Sequence, residues 1–236
     1  MNIIKASNKV LKRLGYRIVK DKAGKDVLFY VNEKAYIDHL GNFDIEKYRK
    51  IQTEGNKKKL DRVWVREENI KFISGYITGK IAKPATGVCH GTRRGMEQQW
   101  FRKYLGCDVF GTEISDTALD FPNTIQWDFH EIKPEWINHF DFIYSNSLDH
   151  SYNPELCINQ WMKCLKANGV CVIEYSNVHE PKHADSLDPF GAQLQVLPYL
   201  FLLWSKGKFG VVDVIDAPSK HPDLSYLKFL ILKRFS

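Results

Sequence analysis

No stretch of this 236-residue sequence is long and apolar enough to span a bilayer. The longest mostly apolar run, Val196–Trp204, has nine residues and is interrupted by Pro198. That is about half of the ~20 residues that a transmembrane helix needs, and the run reads as a core helix rather than a lipid contact. The opening segment MNIIKASNKVLKRLGYR has no apolar stretch of the ~7–15 residues found in secretory signals, so no signal peptide is expected. No internal repeat or low-complexity segment is present. The five cysteines (Cys89, Cys107, Cys157, Cys164 and Cys171) are odd in number and form no CxxC pair. Neither a disulfide framework nor a zinc site fits them, and buried thiols in a reduced, cytoplasmic protein are the simple expectation.

What is present suits a globular chain with one large core or a core plus a small appendage: 44% hydrophobic and 26% charged residues. The net charge of +6 is unevenly spread. Residues 1–72 hold 18 Lys and Arg against 10 Asp and Glu, while the other 164 hold 16 against 18. The basicity belongs to the N-terminal third, where it attracts an anionic partner or merely solvates a helical face. Nucleic acid is not the expected partner; the pattern leaves the oligomeric state open.

Residues 3–14 place Ile3, Val10, Leu11 and Leu14 on one side among lysines, which predicts a short basic amphipathic helix ending near Gly15. It is read as lying on the domain, with an interfacial membrane helix as the alternative. A strand is expected over 26–31, a polar helix or lid over 44–61, and a helix carrying Ile70, Ile73 and Ile77 before the break at Gly79–Pro84. From residue 85 short apolar strands alternate with helices: TGVCH (86–90), CDVFGTE (107–113), TIQWD (124–128), DFIYSN (141–146) and GVCVIEYS (169–176). The clearest helix runs from Pro154 to Leu165, capped by Asn153 and closed by Asn168-Gly169. The last two strands, 210–216 and 227–234, leave no room for a helix and should pair antiparallel. The fold class is therefore α/β, a doubly wound, mostly parallel seven-stranded sheet with a C-terminal antiparallel hairpin and an N-terminal helical extension.

The first strand runs into HGTRRGMEQQWF, where Gly91 and Gly95 bracket a turn into a helix starting near Met96. Backbone N–H groups at such a helix start face whatever lies at the carboxyl end of the sheet. The second strand ends in Glu113, 22 residues after Gly91, where a carboxylate can accept hydrogen bonds from ribose hydroxyls. The third ends in Asp128-Phe129, an acceptor for an adenine amino group beside an aromatic wall. Together they describe an adenosine pocket. A dinucleotide fingerprint wants glycine where Arg93 stands, so that the backbone can touch a pyrophosphate. S-adenosylmethionine, which has no pyrophosphate, is preferred over NAD.

On these residues, the segment from about 85 to 176 resembles the class I (Rossmann-like) S-adenosylmethionine-dependent methyltransferases of the type 11 kind. The carrying motifs are CHGTRRG, FGTE and YSNSLDHSYNPE. More narrowly, it is similar to a group with the pattern HGTRxGxEQxWF, found among polysaccharide-modification genes. The resemblance implies cofactor contacts from Gly91, Thr92, Arg93, Gly95, Glu113, Ile114, Asp128, Phe129, Ser145 and Asn146. Cys89 stands where the family usually has an acid and cannot pair with the cofactor's ammonium; Glu97 is the candidate replacement. The family position also puts His150 near the transferring methyl, as a general base with Asp149 as its orienting partner. His90 reads as a packed core residue. Glu174 is a candidate for the acceptor side, and the loop around His179, His183, Asp185 and Asp188 is a candidate for acceptor recognition. No metal is expected, because His-x₃-His there lacks a third ligand.

The implied activity is methyl transfer to a small-molecule or glycan acceptor, most simply at oxygen. An NAD-binding oxidoreductase and a non-catalytic nucleotide- or nucleic-acid-binding adaptor are the alternatives. Residues 1–80 read as a basic extension or lid without a core of its own, and 81–236 as the methyltransferase domain.

Overall fold

The structure, a computed structural model, describes residues 28–235. The helix expected over 3–14 and the first two residues of the strand expected over 26–31 lie outside them. In chain order the first elements are β1 (Phe29–Val31), α1 (Ile45–Lys58), α2 (Glu67–Lys80), β2 (Thr86–His90), α3 (Met96–Leu105), β3 (Asp108–Glu113), β4 (Thr124–Gln126) and β5 (Phe140–Ser145). They are followed by α4 (Pro154–Cys164), β6 (Leu165–Ser176), β7 (Phe190–Ala192), α5 (Leu197–Trp204), β8 (Phe209–Asp216) and β9 (Leu227–Arg234).

Strands buried on both faces need apolar residues at nearly every position, which is why they read as continuous apolar runs. Along β2, Val88 packs into one layer and Cys89 into the other; along β5, Ile143 and Phe142 divide in the same way. Seven strands form one sheet in the order β4-β3-β2-β5-β6-β9-β8. The first five are parallel, and β9 runs antiparallel to both β6 and β8. Ile70, Ile73 and Ile77 of α2 and Phe101 of α3 cover one face. Ile158 and Trp161 of α4, with Leu200 and Phe201 of α5, cover the other. This is the expected doubly wound sheet with its terminal hairpin. All five cysteines are unpaired. Among the described residues, no helix is long and apolar enough to cross a membrane.

The Asn153 side chain caps α4 by accepting from the Leu156 N–H at 3.0 Å. Its other end differs from expectation. Cys164 is its last residue, Leu165 is already extended, and the chain passes directly into β6. Asn168-Gly169 is not a helix cap. It lies where β6 bulges, between the Leu165↔Phe140 and Val170↔Phe142 partners, and four residues of β6 there face a single residue of β5.

The polar segment after β6 contains a strand that its composition conceals. Phe190–Ala192 pairs antiparallel with β1, Phe29 opposite Ala192 and Val31 opposite Phe190. This small sheet ties the N-terminal third to the 180s loop. Asp44 caps α1 by accepting from the Lys47 N–H at 2.9 Å. Bonds to the segments that follow β3, β4 and β5 then hold α1 in place: Lys57 with Asp116, Arg49 with Glu131, and the Tyr48 hydroxyl with the His150 carbonyl.

Candidate active site

The chain leaves β2 through Gly91, whose φ is +73°. A Cβ at that position would stand 2.6 Å from the Cβ of Ser147, so glycine alone lets the segments after β2 and β5 meet. Ser147 Oγ donates to the Gly91 carbonyl at 3.0 Å and closes that contact. Arg93 is also left-handed, with φ +44°. In that turn its N–H reaches Glu113 Oε2 at 2.9 Å, while the Ser115 N–H reaches Oε1 at 3.0 Å. Glu113 is thus fixed at the end of β3; burial pushes its carboxyl above the ordinary range.

Gly91, Arg93, Glu113, Ile114, Asp128 and Phe129 converge on one pocket. Asp128 is divided between two tasks. Its Oδ1 accepts from both the His130 N–H (3.0 Å) and Nδ1 (2.7 Å), whereas its buried Oδ2 accepts no hydrogen bond and has only Arg49 Nε nearby, at 3.9 Å. Burial alone would raise this carboxyl, but the His130 bonds hold it below the ordinary range and therefore ionised. A buried, charged oxygen that accepts no hydrogen bond has room for a donor from outside the protein. An adenine amino group beside Phe129, with ribose hydroxyls at Glu113, fits that place.

Beside this pocket opens a larger cleft of about 720 Å³, with Thr92, Glu97, Asn146, Asp149 and His150 on its wall. Glu97, only 6% exposed, sits in the first turn of α3 and accepts from Asn146 Nδ2 at 3.3 Å. Burial pushes its pKa up to about 8. Thr92 Oγ1 is buried and unpartnered. Ser145 and Gly95 lie on neither wall. Ser145 Oγ donates to the His90 carbonyl at 3.0 Å and accepts from the Ser147 N–H, while Gly95 caps α3. Glu174 is 2% exposed and accepts from the Tyr144 hydroxyl at 2.9 Å; burial lifts its pKa to about 7. His90 is a core residue, stacked on Trp161 and bonded to Thr112 Oγ1, with burial pushing its pKa down to about 3.

His150 borders both spaces. Its Nδ1 lies 2.9 Å from the Leu187 carbonyl oxygen. A carbonyl only accepts, so Nδ1 carries the proton and the neutral ring keeps its lone pair on Nε2. The carboxylate nearest this ring nitrogen is that of Asp188, at 3.1 Å. Asp149 instead faces His179, whose Nε2 lies 3.7 Å from its Oδ2. Burial opposes charging of His150, yet Asp149 and Asp188 together hold its pKa above the ordinary 6.5. Asp149, His150 and Asp188 are the one group among the described residues whose ligand-type atoms approach one another closely enough, within 4.8 Å, to surround a cation.

Sequence reasoning expected a polar helix or lid over 44–61, but overlooked the residues by which it roofs the site. Tyr48 donates to the His150 carbonyl at 3.0 Å, and Gln52 Nε2 donates to the same Leu187 oxygen that His150 uses, at 2.7 Å. Gly55 leaves room for Leu187, since a Cβ there would fall 2.2 Å from its Cδ1. These three residues recur at helical spacing along α1 and are all buried. They escaped notice because the face they form is polar and small rather than apolar.

Residues 88–173 match the family described as a methyltransferase domain. No curated protein matches the chain. Among solved structures, the 1,6-didemethyltoxoflavin-N1-methyltransferase of Burkholderia thailandensis, with bound 1,6-didemethyltoxoflavin and S-adenosylhomocysteine, is 15% identical. Its TM-score is 0.60 over 81% of this chain and 90% of that one. The plantazolicin methyltransferase BpumL, in complex with a triazolic desmethylPZN analog and SAH, is 14% identical with a TM-score of 0.59, over 81% of this chain and 98% of that one. The CcbJ methyltransferase of Streptomyces caelestis is 13% identical with a TM-score of 0.53, over 79% and 99%. At such identities the likeness is one of fold.

Proposed function

We propose that this chain, whose residues 88–173 match a methyltransferase-domain family, is an S-adenosylmethionine-dependent enzyme that methylates a hydroxyl of a small molecule or glycan. One observation carries the cofactor assignment: the glycine turn, Glu113 and Asp128, whose Oδ2 accepts no hydrogen bond, close on a single pocket. Arg93, left-handed and bonded through its N–H to Glu113, occupies the place where a dinucleotide site needs glycine. That argues against NAD.

S-adenosylmethionine, when bound, supplies a methyl group on an electron-poor sulfonium. Glu113 would hold the ribose, Asp128 and Phe129 the adenine, and Thr92, Glu97 and Asn146 the amino-acid end. The methyl acceptor enters from the larger cleft. His150 Nε2 takes the proton that the acceptor hydroxyl loses as its oxygen gains the methyl group. Asp188 and the Leu187 carbonyl orient the ring and stabilise its cationic form. Helix α1 acts as a lid, and together with the 180s loop it excludes water from the donor. The proteins of similar fold are named for small-molecule acceptors, which supports an acceptor of that size, and five unpaired cysteines support a cytoplasmic setting. Incubation with methyl-labelled donor and a panel of hydroxylated acceptors, read by mass spectrometry, tests the reading. Label should move to oxygen, and His150→Ala should stop it.

A further inference from the structure

Resting on the methyltransferase reading, we infer that the acceptor carries an anionic group as well as its hydroxyl, and that Lys59, Arg62, Arg93 and Arg94 receive it. These four side chains line the cleft that also holds His150. None of them makes an ion pair among the described residues. Arg93 Nη1 reaches only the Arg62 carbonyl, at 3.4 Å, and Arg94 Nη1 only the Asp61 carbonyl, at 3.3 Å. Several cations elsewhere on the surface do have carboxylate partners: Lys57 with Asp116, Arg102 with Asp108, Lys103 with Glu67, Lys166 with Asp141. Lys59, Arg62, Arg93 and Arg94 stand together on one concave wall, with no ion pair among the described residues.

Charge balance indicates what they meet. The carboxylates on the same wall are Glu97, Asp149 and Asp188. Glu97 is committed to the donor's ammonium, and Asp188 faces the His150 ring. The donor itself adds a net positive charge, since its sulfonium and ammonium outweigh its one carboxylate. One guanidinium can serve that carboxylate; the four cations and the net-positive donor still exceed the three carboxylates of the wall, which leaves a positive excess. A carboxylate or phosphate on the acceptor offsets it, and the planar guanidinium suits both through paired hydrogen bonds. Trp64 lies on the same wall, flanked by His221 (ring centroids 5.1 Å apart) and His179 (6.1 Å). It offers a flat surface for the body of a ring-shaped acceptor. The buried, unpartnered Asp149 Oδ1 is an acceptor for one of its hydroxyls. The acceptor class is therefore an acidic polyhydroxyl ring, such as a uronic acid or a sugar phosphate.

The test is calorimetric titration of the full chain, saturated with S-adenosylhomocysteine, with D-glucuronate, glucose 6-phosphate and glucose. Either anion should bind and neutral glucose should not; the better anion tells carboxylate from phosphate. Added salt should weaken the binding. Arg62→Ala with Arg94→Ala should cost about tenfold or more for the anion, the effect of losing one charge-assisted contact, and should leave S-adenosylhomocysteine binding unchanged. Equal binding of glucose overturns the inference, as does no anion binding. A parallel loss of S-adenosylhomocysteine affinity in the double variant also overturns it, because the guanidinia then serve the donor. Much tighter binding of a single-stranded oligonucleotide, abolished by the same substitutions, would make the wall a polyanion surface instead. If S-adenosylhomocysteine itself fails to bind, the methyltransferase reading is what has failed; the anion titrations repeated without it still decide the cationic wall.

Discussion

Nδ1 of His150 lies 2.9 Å from the carbonyl oxygen of Leu187, a residue on a loop that the sequence separates from it by an α-helix and a long strand. This bond fixes the tautomer and leaves Nε2 as the ring's free acceptor. Neutral His150 should therefore show its proton on Nδ1 in nitrogen-edited NMR. It should titrate above the ordinary 6.5, because Asp149 and Asp188 outweigh the cost of burial. The base is the neutral form, so transfer to a hydroxyl should rise with pH and level off only above that raised pKa. His150→Ala should lower the transfer rate by about 10²–10⁴, the range for a lost general base. A pH profile without an alkaline-going rise would remove His150 from this role.

Glu97 ties cofactor binding to pH. Without ligand its pKa stands at about 8, so at neutral pH it is mostly protonated. Pairing with the cofactor's ammonium requires the charged form. Binding at pH 7 should release a proton, and affinity should strengthen as pH rises toward 8. Titrations in two buffers of different ionisation heat should count that proton. Glu97→Gln should abolish the release.

Glu174 should make the fold less stable in alkali. Its pKa rises from an ordinary 4.5 to about 7 on burial. The folded state holds the proton more tightly than the unfolded chain, so the stability contribution is complete below 4.5 and is lost as pH rises through about 7. The loss is on the order of 3 kcal/mol, following the cost of a pKa shift. Tm should fall between pH 5 and 8, and Glu174→Gln should flatten that fall while keeping a partner for the Tyr144 hydroxyl.

Tyr48→Phe removes the hydroxyl that donates to the His150 carbonyl at 3.0 Å. The carbonyl loses this donor inside a packed aromatic corner where Tyr36 and Tyr152 meet Tyr48 edge-on. Thermal denaturation should register a loss of about 1–3 kcal/mol, the cost of an unsatisfied buried group.

Much of the sheet and half of the pocket were legible in the chain. The strands ending in His90, Glu113 and Ser145 are short apolar runs because both faces are covered, and the glycine, acid and Ser-Asn at their ends mark where the chain turns. The rest depends on contacts between distant segments. Asp188 is one polar residue among many in its loop until β7 pairs with β1 and sets the loop against His150. Tyr48, Gln52 and Gly55 form a buried face whose purpose is hydrogen bonding and close approach, which hydrophobic periodicity does not register. Asn168-Gly169 resembles a helix end because the same residues suit a bulge.

The central claim is that the pocket between Glu113 and Asp128 holds the adenosine of S-adenosylmethionine. Calorimetry with S-adenosylhomocysteine and NAD, on the wild-type chain and on Glu113→Ala, tests it most directly. Micromolar S-adenosylhomocysteine binding that weakens at least tenfold in the variant, about 1.4 kcal/mol or more, with NAD binding far more weakly, is the predicted result. Unchanged S-adenosylhomocysteine affinity in Glu113→Ala, or tighter binding of NAD, would contradict the account.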